Sequence, residues 1–226
     1  MQNRIIVAID GPAGAGKSTI ARAVAAALHA VYIDTGAMYR AVALRAIRGG
    51  KALDDEGALT QLAEEASIEL GAGGLVRLDG EDVSGLIRTP EIAQAASKVS
   101  AIAGVRRAMV ASQRRMAESC SVVMEGRDIG TVVFPEAQVK IYLDASPEVR
   151  AMRRVLEMRQ KGMKADPAQV EEEIRERDYR DSNRAEAPLT QAAGAVYVDT
   201  SPMGVDEVVS TLLRIAGERI GKEVEA

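Results

Sequence analysis

The chain is poor in the residues that build disulfide, metal and aromatic chemistry. Its 226 residues include one cysteine, one histidine and no tryptophan, and aromatic side chains make up only 3 %. A lone cysteine, Cys120, cannot close an internal disulfide, which points to a reducing compartment. A lone histidine, His29, cannot assemble a metal site by itself. With so few aromatics, the core must be packed from Ala, Val, Ile, Leu and Met. No apolar stretch approaches the roughly 18 residues that read as a membrane-spanning helix. The N-terminus runs straight into Arg4-Ile5-Ile6-Val7-Ala8-Ile9-Asp10 with no secretory-signal pattern. A soluble, cytoplasmic protein with no membrane partner is the expectation. Internal repeats and low-complexity linkers are also missing.

An excess of positive charge is lacking as well. Against 33 acidic side chains stand 29 basic ones, a net charge of −4, which argues against a dedicated nucleic-acid binder. The cations are concentrated locally. Residues 106–115 hold Arg106, Arg107, Arg114 and Arg115 with no acid, and residues 150–184 are dense in Arg and Lys interleaved with acids. Local arginines on an acidic chain suit a small anionic ligand better than a duplex.

What is present is an alternation of short apolar runs with helical patterns, the signature of a parallel sheet covered by helices. The runs Ile5–Ile9, Val31–Ile33, Val122–Met124, Val139–Leu143 and Ala195–Val198 read as strands buried on both faces. Helices are predicted at Lys17–Leu28, Met38–Arg48, Pro147–Lys161, Pro167–Asp181 and Val205–Ile220. Ser146-Pro147-Glu148 is a good helix start, with a capping hydroxyl, a proline in the first turn and an acid at the positive dipole end. Residues 62–104 break the rhythm. Two short strands, Ile68–Leu70 and Leu75–Leu78, flank a glycine-rich turn, Asp79-Gly80 signals a tight turn, and Pro90–Val99 reads as a helix. The predicted architecture is α/β: a three-layer sandwich with a five-stranded parallel sheet, a small α+β insert and a helical lid. Its segments are core at 1–61, insert at 62–104, core at 105–150, lid at 151–168 and core at 169–226.

The clearest motif is Gly11-Pro12-Ala13-Gly14-Ala15-Gly16-Lys17-Ser18, which matches the P-loop pattern G-x-x-x-x-G-K-[ST] between a buried strand and an Ala-rich helix. Glycines let the backbone curl so that successive N–H groups face phosphate oxygens, and the helix adds its positive end. Lys17 is placed to reach the β- and γ-phosphates, the Ser18 hydroxyl to bind Mg²⁺, and Thr19 to touch the α-phosphate. A glycine-rich turn that binds nothing is the bland alternative. The motif alone leaves open a GTPase switch, an ATPase motor and a small-molecule kinase. The chain has no Asn-Lys-x-Asp guanine-reading motif. The apolar strand Val122-Val123-Met124-Glu125 continues into Gly126-Arg127-Asp128, not into the Asp-Glu of a motor.

Four further segments are rich in phosphate- and base-binding chemistry: Asp34–Arg40, Ser97 with Arg106, Glu125–Thr131 and Arg177–Arg184. Arginine offers planar, bidentate donors, and moving a phosphoryl group between two anions needs several such cations. Each has a bland alternative. Arg153 and Arg154 lie among many charges on one helix, Arg177, Arg180 and Arg184 could pair with Glu172, Glu173 and Glu176, Asp128 could cap a turn, and Tyr39 could be core. If the helix continues far enough, Arg177, Arg180 and Arg184 share one face.

Taken together, GPAGAGKST, DTGAMYR, EDVSGLIRT, EGRDIGTVVFP, KIYLDAS and ERDYRDSNRAEAPL resemble the bacterial type of cytidylate kinase, in that family's order, from Ile5 to about Thr200. The resemblance implies transfer of the γ-phosphate of ATP to CMP or dCMP by a monomer. It implies that Gly11–Thr19, with Arg153 and Arg154 from the lid-side helix, hold ATP. Arg40 and Arg127 would grip the acceptor phosphate, with Thr35 and Tyr39 nearby. Ser97, Arg106 and Asp128 would surround the cytosine ring, Arg106 donating toward the ring and Asp128 accepting from the exocyclic amine. Arg177 would also reach the acceptor, Asp181 its ribose, and Arg180 and Arg184 the transferring group. Glu125, where many members have Asp, would hold a water on Mg²⁺. The rival readings are a kinase for another small acceptor, such as shikimate or gluconate, and a nucleotide-sensing or nucleic-acid-binding regulator.

Overall fold

The computed structural model describes residues 4–160 and 162–221. Lys161, the expected end of one helix and part of the expected lid, lies outside the described residues, as do the outermost residues of the first and last core segments. By compactness the chain divides into two units, Met1–Tyr32 with Ser119–Ala226, and Ile33–Glu118. The elements in chain order are β1 (Ile6–Asp10), α1 (Lys17–Ala27), β2 (Val31–Asp34), α2 (Thr35–Arg48), α3 (Glu56–Glu65), β3 (Ile68–Leu70), β4 (Val76–Leu78), β5 (Glu81–Asp82), α4 (Pro90–Val99), α5 (Ala103–Met116), β6 (Val122–Gly126), β7 (Val139–Asp144), α6 (Pro147–Gln160), α7 (Pro167–Asn183), β8 (Val196–Asp199) and α8 (Val205–Ile220).

The larger unit is organised by a five-stranded sheet of order β2-β6-β1-β7-β8. β1 sits in the middle, parallel to β6 on one side and β7 on the other. Every residue of β1 and β6 is buried, which explains their unalternating aliphatic sequences. Val7 and Ile9 pack with Ile20 and Val24 of α1 and with Leu212 and Ile215 of α8. In register, Asp10 lies opposite Gly126 and Tyr142, so β1 and β6 end level and β7 runs two residues further, to Asp144. That edge is where open α/β sheets bind ligands. A smaller cluster of Ala151, Val155, Val170 and Ile174 joins α6 to α7.

The second unit holds α2 to α5 and an antiparallel sheet of β3, β4 and β5 around its own core, which includes Met38, Leu59, Ile87 and Met109. The short strands and the helix over Pro90–Val99 lie where the sequence predicts them, with Thr89 capping α4 through its hydroxyl. Two helices were not anticipated. α3 starts at an Asp55 cap, and α5 runs through the basic stretch, its buried residues Val105, Arg106, Met109 and Gln113 set among the exposed Arg107, Arg114 and Arg115. α2 begins at Thr35, ahead of the expected Met38, because the Asp34 carboxylate accepts from Ala37 N–H at 2.9 Å and caps the helix. Among the described residues, no helix is long and apolar enough to cross a membrane.

Candidate active site

The P-loop links the end of β1 to the start of α1. Gly11 has φ +148°, and a Cβ there would lie 1.9 Å from the carbonyl oxygen of Leu143 on β7. No side chain fits so close to a backbone atom, so the strand edge requires glycine. Gly16, at φ +90°, is the N-cap of α1 and contributes no side chain to the helix start. The first N–H groups of α1 therefore face the loop without a side-chain cap, an anion-ready end. Ser18 and Thr19 lie at the exposed rim, and Lys17 is buried.

Lys17 donates from Nζ to the Pro12 carbonyl at 2.6 Å. Burial, and then the neighbouring Arg127 charge, push its amine down to about 7, against the pull of Glu125 and Asp10. Burial likewise pushes the Asp10 carboxyl up to about 6, although it accepts from Gly130 N–H at 2.7 Å and Ile129 N–H at 2.8 Å. A lysine near neutrality among arginines is a site organised for negative charge that comes with a ligand.

Within this unit the expected residues of β6 and α7 meet. Arg127 donates from Nε to Asp181 Oδ2 at 2.9 Å, and Arg177 reaches the same oxygen at 3.9 Å. Burial disfavours the Arg127 charge, yet Asp181 and Glu125 hold its pKa above the ordinary range. Burial would raise the Asp181 carboxyl, but Arg127 and Arg177 outweigh it and hold it low. Arg184 Nη2 lies 3.8 Å from Asp128 Oδ1, with both side chains nearly inaccessible. The idea that Arg177, Arg180 and Arg184 share a helix face needs correction. α7 stops at Asn183, and Arg184 is its C-cap in extended conformation, with Nε donating to Ala187 O. Arg180 is half exposed and 3.9 Å from Glu176.

Asp128 opens a single π-helical turn, Ile129–Val133, and its side chain makes no capping bond. Tyr32 donates its hydroxyl to Glu125 at 2.5 Å, with the Arg22 guanidinium 5.3 Å from the Tyr32 ring centre. The described residues hold no cluster of three metal-binding side chains. The donors at hand, the Ser18 hydroxyl and the buried Glu125 carboxylate felt by Lys17, are hard oxygens. They fit a magnesium ion that keeps waters and arrives with nucleotide phosphates, not one caged by protein alone.

Arg153 and Arg154 differ in setting. Arg153 donates to Thr200 Oγ1 at 3.0 Å and Thr200 O at 2.7 Å, at the margin of the P-loop near Gly16. Arg154 pairs with Glu157 at 2.8 Å on the surface of α6. Three residues with clear roles here escaped the sequence reading: Asp10, Thr200 and Arg150. The Thr200 hydroxyl donates to Asp144 O at 2.9 Å. Arg150 is 4 % exposed and donates to Ala145 O at 2.8 Å, to Ala13 O of the P-loop at 3.1 Å and to Asp178 at 2.6 Å.

The second unit presents its own group. Asp34 orients Arg40 through a 2.9 Å ion pair, while Arg40 Nε is buried without a hydrogen-bond partner. Thr35 is buried at the first turn of α2. Arg106 lies over the Tyr39 ring, 5.7 Å from its centre, and donates to Ser100 O at 3.1 Å. Ser97 Oγ is buried with no partner. Buried polar atoms without a protein partner are costly unless water or a ligand meets them.

These features agree with what comparison shows. The family model for cytidylate kinase matches residues 7–218. A cytidylate kinase of Solibacter usitatus is 56 % identical over 224 residues, 97 % of this chain and 95 % of that protein. One from Desulforamulus reducens is 54 % identical over 209 residues, 92 % of this chain and 94 % of that protein. Among solved structures, an uncharacterized protein from Eubacterium ventriosum superposes with a TM-score of 0.52 over 93 % of this chain and 97 % of that one; at 11 % identity it speaks for the fold alone. With a family model spanning nearly the whole chain and relatives above half identity, this chain belongs to the cytidylate kinase family.

Proposed function

We propose that this protein transfers the γ-phosphate of ATP to CMP and dCMP. The observation that carries the reading is the P-loop itself: the side-chain-free N-terminus of α1 behind Gly16, with the buried Lys17 amine held across the loop by the Pro12 carbonyl. The loop N–H groups, Lys17, Ser18 and Thr19 take the triphosphate, and Arg153, beside Gly16, stands ready to leave Thr200 for the donor. A surface Arg154 paired to Glu157 can do the same only by breaking that pair.

On the acceptor side, Arg40 and Arg127 take the CMP phosphate, and Arg177 joins them from α7. Ser97 and Arg106, the latter held over Tyr39, take the pyrimidine edge; Thr35 lines the acceptor phosphate. Asp128 accepts the exocyclic amine, and Asp181 the ribose hydroxyls. Uracil would offer Asp128 an oxygen, leaving two acceptors face to face. A mismatch of that kind costs about 1–3 kcal/mol. Residues 62–104 form the acceptor-side insert and residues 151–168 the lid.

The reaction needs no covalent intermediate. A CMP phosphate oxygen attacks the γ-phosphorus in line, and Lys17, Arg127, Arg177, Arg180 and Arg184 offset the spread negative charge. Ser18 directly, and Glu125 through a water, would hold magnesium, whose charge neutralises the phosphates. Closure of the lid excludes water that would otherwise hydrolyse ATP. A panel of CMP, dCMP, UMP, AMP, shikimate and gluconate in a coupled ADP-release assay tests the reading. Rapid release is expected with CMP and dCMP only, and a preference for another acceptor would end it.

A further inference from the structure

The turn that carries Asp128 is not held by Asp128. A helical turn opens with N–H groups that lack partners inside it, and an aspartate at the N-cap ordinarily accepts from them. Asp128 stands at that position, with φ −149° and ψ 25°, yet its carboxylate does not cap the turn. The carboxylate that does so comes from β1. Asp10 Oδ1 accepts from Ile129 N–H at 2.8 Å and Oδ2 from Gly130 N–H at 2.7 Å, across 119 and 120 residues of sequence. Asp10 is 3 % exposed, so both bonds are shielded from competing water.

The surroundings leave the turn little freedom. A Cβ on Gly130 would lie 3.4 Å from Asp10 Oδ2, 3.2 Å from Lys140 Cδ and 3.1 Å from the Ala192 Cβ. On the other side, Asp10 is the last residue of β1, directly before the P-loop, and pairs in register with Gly126. Residues 126 and 129–130 are therefore both pinned to residue 10, and Arg127 and Asp128 sit between the pins. We infer that Asp10 is a positioning residue for acceptor-base recognition: by capping the turn from β1 it fixes where the Asp128 carboxylate stands. The inference rests on the proposed role of Asp128 toward the cytosine amine.

The test compares kcat/KM for CMP and UMP in three proteins: wild type, Asp128→Ala and Asp10→Asn. Asparagine keeps the size and one acceptor but turns an NH₂ toward a backbone N–H, so one of the two bonds is lost. The CMP-over-UMP ratio is expected to fall about tenfold in Asp10→Asn, while KM for ATP stays within about threefold. A carboxylate of merely structural value would lower the melting temperature and leave the ratio of two acceptors unchanged. If Asp128→Ala flattens the ratio and Asp10→Asn preserves it, the inference is overturned. If Asp128→Ala itself preserves the ratio, the base-reading role fails and the inference falls with it. Should Asp10→Asn not accumulate as folded protein, Asp10→Ser, which offers a single shorter acceptor in place of the two carboxylate oxygens, takes its place. A reduced ratio in that variant supports the inference, and an unchanged one overturns it.

Discussion

Arg150 Nη1 lies 2.6 Å from Asp178 and 3.1 Å from the carbonyl oxygen of Ala13, so one guanidinium joins α7 to the P-loop. Burial holds the Asp178 carboxyl above its usual range despite the nearby Arg150 and Arg127 charges. The pair therefore needs an acceptor more than a negative charge. Asp178→Asn is expected to change unfolding free energy by less than about 1 kcal/mol, whereas Asp178→Ala leaves the buried guanidinium with the Ala145 and Ala13 carbonyls alone and costs about 2–4 kcal/mol. Urea unfolding of both variants checks the contrast, and equal losses would show that the charge matters after all.

Lys17 links nucleotide binding to protons. Its amine sits at about 7 in the folded protein against an ordinary 10.5, so between those values the unfolded chain binds a proton that the native chain does not. Stability from this group accordingly rises with pH through that window and is lowest below 7. Phosphates restore the charged form. At pH 8, ATP binding is expected to take up close to one proton, read from calorimetry in two buffers of different ionisation enthalpy. Lys17→Met should abolish both the uptake and phosphoryl transfer.

Arg40 is held by Asp34 with its Nε buried and unpaired. A lysine keeps the charge but not the planar fork. Arg40→Lys is expected to raise KM for CMP about tenfold or more, with KM for ATP little changed, in steady-state assays varying each substrate. Equal effects on both substrates would remove Arg40 from the acceptor side.

Gly11 should tolerate no side chain. Gly11→Ala drives a Cβ into the Leu143 carbonyl, and either the strand edge or the loop must give way. A loss above about 3 kcal/mol is expected in urea unfolding, the scale of other core disruptions.

The P-loop, the buried strands and most helices were legible because their signals are local: glycine spacing, unalternating aliphatic runs, and caps such as Ser146 before Pro147. α5 was not, because its buried Val105 and Met109 alternate with a run of arginines that dominates the composition. Arg150 and Asp10 were missed for a different reason. Their partners lie 137 and about 120 residues away, and no spacing rule reaches that far. Each left a trace all the same. Asp10 is a carboxylate ending a wholly apolar strand, and Arg150 shares the buried face of α6 with Ala151 and Val155. A charge at a core position asks for a partner. The segments that hold the second-site residues stood out by their arginines and their place after strands, but their roles came only through resemblance, since lone arginines carry no label of what they bind.

The division of labour between Asp10 and Asp128 bears on redesign. A recognition residue that also holds its own backbone cannot be exchanged without unfolding the place where it stands. Here a neighbouring strand carries that duty, and position 128 is released from it. Substitutions at 128 leave the cap of the turn in place, so what they disturb is the buried contact with Arg184 and the proposed contact with the acceptor, while a change at position 10 disturbs the turn itself. A redesign of the acceptor pocket would therefore vary residue 128 and keep residue 10 as it is.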